Sequence, residues 1–494
     1  MDPQAPTLRT WLGLWVLAAA LAVIVIDGTI VGVALPTIID DLGLGLTGGQ
    51  WVNSLYSVVF AALLLTFGRL GDRYGRRRML LIGMALFIAG SILGGLATGP
   101  APLISGRAIQ GVGGAMILPA TLSTVNATFR GPHRATAFGI WGAVMAGAAA
   151  LGPLVGGWLT HVADWRWVFW VNLPLGLAVM AAAWRVVPET RSQHSTPLEP
   201  FGPLLSAIGF GSLIFGLIEG TDLGWWRPRQ ELRVGNLTWG LDAPVSPAPV
   251  AILVGLAVLV WFVLREHRRR DLPHLVTLSL FRIPTFATGN LTAALVQVGE
   301  YILIFVLPIH LVTGMGADPL TAGLVLMAMA LGAFVSGGAA RFLAMRLSTR
   351  RVVQLGLALE VVGLAATAVA IQRAASPLWL TAAMLPYGIG LGLAAAQLTS
   401  LVLHDVPIDT SGQGSALQST IRQVGAAIGS AVGGTVMGAV LAGTPIGEAS
   451  PDGLAHASSV AMWLGTGTLV VAFLTVPRAA MQGSRSSDAS THVE

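Results

Sequence analysis

The sequence predicts an all-α integral membrane protein with fourteen spanning helices, and three observations carry that prediction. Hydrophobic residues make up 54% of the 494 and charged residues only 10%, whereas soluble domains carry about 25% charged residues. The mean hydropathy is +0.74. The apolar residues fall into fourteen runs of about 20, the length at which a helix crosses the hydrocarbon with its backbone hydrogen bonds satisfied internally. No polar stretch is long enough to build a separate soluble core.

The first run, 11–35, is too long for the apolar core of a secretory leader and is followed by many more, so it is expected to remain as span 1. Spans 2 to 6 fall near 51–71, 79–97, 102–125, 136–160 and 167–187, completing an N-terminal six-helix bundle over 11–187. Spans 7 and 8, near 201–220 and 248–265, belong to a linker over 188–282. Between them, 221–249 carries Trp225, Trp226 and Trp239 with several prolines; a plain linker is the expectation, rather than an interfacial flap. Spans 9 to 14 lie near 285–312, 320–343, 352–371, 377–402, 413–442 and 457–477, a C-terminal bundle over 283–477 followed by a tail over 478–494. RAIQGVGGAMILP in span 4 is echoed by LPYGIGLGLAAAQ in span 12, and GPLVGG in span 5 by GSAVGG in span 13. Paired halves of this kind suit a transporter.

All 28 basic residues are arginine and there is no cysteine, which excludes disulfides, thiolate nucleophiles and cysteine-ligated metals. A phosphate-binding GxxxxGK[ST] loop needs lysine, so an ATP-driven pump is excluded for this chain. Neither HExxH, a GxSxG elbow with partners, nor a metal-ligand cluster stands in the sequence, and no enzyme, cofactor or metal is expected. The termini and even-to-odd loops hold 21 arginines, the odd-to-even loops five, and two lie within spans. Both termini are therefore expected in the cytoplasm. The net charge of +5 comes from these topology clusters, so no nucleic-acid partner is inferred.

Between spans 2 and 3 stands GRLGDRYGRRRM, residues 68–79, with Gly68, Asp72, Arg73, Gly75 and Arg76 in order. Here the chain resembles the major facilitator superfamily, and the resemblance implies that Asp72 helps latch two bundles together on the cytoplasmic side, with Arg134 of the next inner loop as a candidate partner. Span 5 holds GAAALGPLVGG, residues 147–157, in which Gly147, Gly152, Gly156 and Gly157 permit close helix approach and Pro153 kinks the span. It is similar to the family's antiporter motif. WRWVFWVNLPLG, residues 165–176, and IDGTIVGVALP, residues 26–36, are similar to the fourteen-span drug:proton antiporter branch, which usually has asparagine where this chain has Gly32. The resemblance implies an exporter of lipophilic, often cationic small molecules, driven by protons across the bacterial cytoplasmic membrane, and a monomer is the default expectation. Export of a lipid or an endogenous antibiotic is the alternative.

A charge near the bilayer centre costs roughly 2.5–3.5 kcal/mol on insertion scales, so each one asks for a role. Asp27 lies eight residues before the outer end of span 1, about 12 Å deep at 1.5 Å per residue, and is the candidate proton carrier. Arg107 opens RAIQG at similar depth, and a fixed cation there would favour the charged form of a nearby acid. Its family counterpart contributes to proton coupling. Glu300 sits mid-span in span 9 with Asn290 and Gln297 on the same run, placed either to meet a cationic substrate or to take the proton in place of Asp27. Glu360 of span 11 and Arg422 of span 13 are expected to neutralise one another. Glu219, at the outer end of span 7, and His310, at the outer end of span 9, are shallow. Trp51, Asn53, Tyr56, Met116, Gln397 and Gln418 are candidates, with Glu300, for the lining of an apolar and aromatic substrate cavity.

Overall fold

Each long apolar run folds as a helix, with ends set by residues that satisfy or tolerate free backbone groups. Thr7 caps α1 (Leu8–Asp41), its Oγ1 accepting from the Thr10 amide at 3.3 Å. Gly75, at φ +112, turns the chain from α2 (Leu46–Tyr74) into α3 (Arg76–Gly95), a conformation that glycine alone adopts cheaply. Proline stands at the first turn of α4 (Pro100–Thr128), and α5 is Gly131–Val162. A turn at Trp167–Trp170 leads into α6 (Asn172–Val186). Then come α7 (Phe201–Leu223) and α8 (Pro247–Arg268). The second set is α9 (Pro284–Ile309), α10 (Pro319–Leu347), α11 (Thr349–Gln372), α12 (Pro377–Val402), α13 (Ser411–Val440) and α14 (Pro451–Thr475). Asp318 caps α10 and Ser450 caps α14, each side chain accepting an amide of the first turn.

The structure is a computed structural model that describes residues 6–129, 131–191, 201–234, 237–268, 278–406, 411–442 and 444–477. Among the described residues, eleven helices are long and apolar enough to cross a membrane, α6 being counted with its leading turn. The bent α2, Leu46–Leu64 and Thr66–Tyr74 at 50°, makes a twelfth if it is one span. Outside this set are α7, whose apolar stretch is the shorter Leu204–Gly220, and α5, several of whose side chains lie outside the described residues. The helices overrun the apolar runs read from sequence. The 34 residues of α1 extend about 51 Å at 1.5 Å each, so its ends reach past the hydrocarbon.

Within the first half, α4 packs between α2 and α3, and α1 against α5; within the second, α12 packs between α10 and α11, and α9 against α13. Two seams join the halves, α5 with α10 and α2 with α13. α7 pairs with α8 and lies along α2 and α13, where Ile214 and Ile218 pack with Val58, Ala427 and Ala431.

The glycine motif and its echo explain these seams. A Cβ on Gly152 would collide with Thr29 Oγ1, and one on Gly156 would lie 2.8 Å from the Ile30 carbonyl oxygen, so both glycines face α1. Gly157 faces the other half, where a Cβ would stand 2.6 Å from the Pro319 carbonyl oxygen and 3.2 Å from Gly323 Cα. In GSAVGG the same positions divide the same way. Gly429 and Gly433 lie on Val298 and Ile302 of α9, while Gly434 lies on Gln50 of α2.

Among the described residues, the hydrogen bonds across the α2–α13 seam lie toward the α1–α2 turn: Gln50 Nε2 donates to the Ala431 carbonyl at 2.6 Å, and the Ser54 and Ser430 hydroxyls are 2.6 Å apart. The His161–Asp318 pair, 3.5 Å, sits at that end of the α5–α10 seam. The 221–249 segment differs from the plain linker expected. Leu232–Val234 and Leu237–Trp239 form an antiparallel pair with Leu232 opposite Trp239, and the Trp239 indole donates to the Val245 carbonyl at 3.0 Å. Those cross-strand and indole bonds compensate for ordering the loop.

Candidate functional site

In the first half, α1, α4 and α6 converge on one carboxylate. Asp27 is fully buried, and Arg107 Nη1 donates to its Oδ2 at 2.6 Å. Its Oδ1 accepts from Gln110 Nε2 at 2.8 Å and from Asn172 Nδ2 at 2.7 Å. Gln110 lies three residues after Arg107, on the same face of α4, and its Oε1 accepts from Arg107 Nη1 at 2.9 Å. Ser91 of α3 accepts from both amides and donates to the Phe87 carbonyl. Arg107 Nε donates to the Val52 carbonyl, and the guanidinium lies 4.4 Å from the Tyr56 ring centroid. Two amide donors and an arginine around a dry carboxylate are the partners a charged group needs there. Sequence reading singled out Asp27 and Arg107 and missed Gln110, Asn172 and Ser91, although Gln110 stands in RAIQG and Asn172 in WVNLP.

In the second half, α9 and α13 bring Glu300 near Arg422 with Gln297 between them. Arg422 Nε donates to Gln297 Oε1 at 2.9 Å, and Gln297 Nε2 donates to Glu300 Oε2 at 2.6 Å. These three share a pocket of about 20 Å³ with Thr399 and Gln418, whose Nε2 and Oγ1 are 3.5 Å apart. This corrects the expected Glu360–Arg422 pair. Glu360 is fully buried on α11, and neither of its oxygens has a hydrogen-bond partner. Helix rotation turns Arg422 toward α9 instead. His310, near the end of α9, is buried, and its Nδ1 has no hydrogen-bond partner.

The other cavity candidates are dispersed. Tyr56 belongs to the Asp27 site, and the Trp51 indole donates to Glu219 Oε1 at 2.7 Å, tying α2 to α7. Met116 packs in the core of the first half, where a Cβ on Gly83 of α3 would lie 2.8 Å from its Cβ. Asn53 and Gln397 are buried, outside the Glu300 pocket. A separate apolar cavity of about 430 Å³ opens between α1 and α5, lined by Trp15, Ile26, Val144, Leu151 and, from α10, Phe334.

The loop after α2 is ordered within its own half. Asp72 accepts from Arg76 Nη2 at 2.7 Å, and Arg76 Nη1 reaches the Ser123 carbonyl of α4. Glu189, after α6, accepts the Arg77 amide at 3.0 Å at the start of α3, where an anion suits the helix dipole. Gly68 passes Pro119 of α4, and Arg73 lies over the Tyr74 ring. The Arg134 side chain lies outside the described residues.

A helical shell of two related halves, each with an arginine held near a mid-helix acid, defines a multi-pass membrane transporter. The chain belongs to the Major Facilitator Superfamily, which it matches over residues 17–430. It is 32% identical over 485 residues to the puromycin resistance protein pur8 of Streptomyces alboniger, covering 95% of this chain and 91% of that one. It is also 32% identical over 424 residues to the multidrug efflux pump LfrA of Mycolicibacterium smegmatis, covering 86% and 80%. Among solved structures, a bacterial homolog to the human lysosomal transporter Spinster, inward-facing and occupied, shares the fold with a TM-score of 0.60 at 18% identity, over 96% and 97% of the two chains.

Proposed function

We propose that this protein is a proton-coupled antiporter that exports lipophilic drugs or antibiotics across the bacterial cytoplasmic membrane. The observation that carries the reading is the pair of acid–arginine sites, Asp27 with Arg107 and Glu300 with Arg422, one in each half of a shell whose cross-seam hydrogen bonds gather toward one end. On the arginine distribution that end lies outside and both termini lie inside. Fourteen spans, with 11–187 and 283–477 as the moving bodies and 188–282 as an accessory pair, complete the architecture, and a monomer suffices.

In this scheme Glu300 meets the cavity and exchanges the proton, while Asp27 changes its partners when the first half rearranges around α1. A proton entering from outside neutralises the acid, weakens substrate binding and releases the cargo outward. Asp72 and Arg76 meet the second half when the inner side closes. Relatives named for puromycin resistance and multidrug efflux support an antibiotic cargo. The apolar α1–α5 cavity also suits a second reading, export of a lipid or an antibiotic made by the same cell.

Everted membrane vesicles loaded to be acidic inside test the scheme. Norfloxacin should accumulate, and collapse of the pH gradient should stop accumulation. Transport that ignores the gradient would refute proton coupling, and no transport of norfloxacin would shift the reading to a narrower cargo.

A further inference from the structure

The Glu300 pocket holds charges of both signs, and this bears on what the transporter accepts. Of the acids in its helices, Asp27 is consumed by Arg107, Gln110 and Asn172, and Glu360 is sealed between α11 and α12, where a Cβ on Gly390 would lie 3.0 Å from its Cγ. Glu300 is the remaining mid-span acid, and it shares its pocket with Arg422. The two do not form a direct pair. Gln297, itself 6% exposed, holds them apart by accepting from one and donating to the other. Among the described residues, the hydrogen bond from Arg422 Nε goes to Gln297, and the Arg422 side chain lines the pocket beside Glu300.

We propose that this pocket recognises a neutral or zwitterionic polar group, one that donates to Glu300 and accepts from the Arg422 fork, and that it selects against permanent cations lacking an acceptor. The proposal rests on the efflux reading above and narrows its cargo. A guanidinium fork matches a carboxylate or a paired carbonyl, and a lone cation beside Glu300 would also face Arg422, so the field at the site nearly cancels. The volume of about 20 Å³ takes one small polar group and not a drug scaffold, which leaves the apolar body of the substrate between the two halves. Sites built to hydrogen-bond a group reject analogues lacking it, because their own buried polar atoms are then left unpaired.

Norfloxacin, zwitterionic near neutral pH, and its decarboxylated analogue, which keeps the amine and loses both the carboxylate and the paired acceptor, share one fluorescent skeleton. Equilibrium dialysis with the purified full chain in detergent would measure both. The expected result is ~10-fold tighter binding of norfloxacin, falling to a ratio near one in Arg422→Gln. Should Arg422→Gln fail to fold, the preference of the parent protein decides alone. Equal binding of the two compounds, tighter binding of the decarboxylated analogue, or binding of neither overturns the proposal. Gradient-driven transport in vesicles is read separately: a parent that transports both compounds alike retains the efflux reading and loses this one, whereas a parent that prefers norfloxacin in dialysis but transports nothing retains the pocket and loses the efflux reading.

Discussion

At the scale of the residue, the Asp27 site gives the sharpest expectation. Arg107→Gln strips the only cation from a carboxylate that is 0% exposed, a change that costs roughly 3–5 kcal/mol when it leaves a buried charge unpaired. Asp27→Asn also removes the negative charge, so it should cost less, and the double substitution should recover part of the Arg107→Gln loss. Thermal unfolding of the three variants in detergent checks the order; an Arg107→Gln protein as stable as the parent would mean the pair contributes little. Glu300→Gln keeps the shape of the pocket and removes its titratable group, so it should fold, bind substrate more weakly and lose gradient-driven transport, measured as substrate accumulation in everted vesicles with and without the gradient. Depth in the apolar runs made both acids and both arginines legible, because each charge is costly in lipid. The neutral partners Gln110, Asn172 and Ser91 carry a far weaker signal, and they were not legible. Nor was the true neighbour of Arg422, since depth along a helix does not fix its rotation.

At the scale of the element, helix ends and glycine faces do most of the positioning. Asp318 starts α10 beside the α5–α10 seam, and the Thr321 side of the cap, with His161 contributing less, holds its carboxyl below the usual aspartate range. A lowered value means the stabilisation is present at neutral pH and disappears as pH falls through it, below the ordinary aspartate value of about 3.9. Asp318→Ala should therefore destabilise the protein by about 1 kcal/mol near pH 7 and show little difference from the parent in strong acid, as denaturation midpoints at the two pH values would reveal. The helices themselves were legible from their apolar runs, and GPLVGG with its echo GSAVGG pointed to close approach. Which glycine met which helix was not readable, because that depends on the placement of the partner. The hairpin after α7 escaped the sequence reading for a related reason: its short strands sit in a proline-rich stretch and are held by bonds specific to the folded loop, such as Trp239 to Val245.

At the scale of the whole molecule, the two-half plan was legible from the repeat, while the conformation was not, since one sequence serves every state of a transport cycle. Absence of native cysteine makes that state easy to probe. Cysteines placed at Gln50 and Ala431 should cross-link readily and arrest transport, with reduction restoring it; unimpaired transport after full cross-linking would contradict a rocking motion across this seam. The two seams are built unlike each other. Between α5 and α10 bare backbones touch at Gly157 and Gly323, with the half-exposed His161–Asp318 pair at one end, so those helices can slide by breaking one surface contact. Between α2 and α13 the Gln50 amide and the Ser54–Ser430 hydroxyl bond must be given up, each worth about 1 kcal/mol net, with α7 laid over the same junction through Thr435 and Leu217. The pace of the cycle then belongs to one side of the molecule. Ser430→Ala should quicken turnover by a few-fold under a saturating gradient, and an unchanged rate in a single-turnover efflux assay would count against it. A transporter arranged this way has its speed lodged in a pair of neutral hydrogen bonds rather than in either acid.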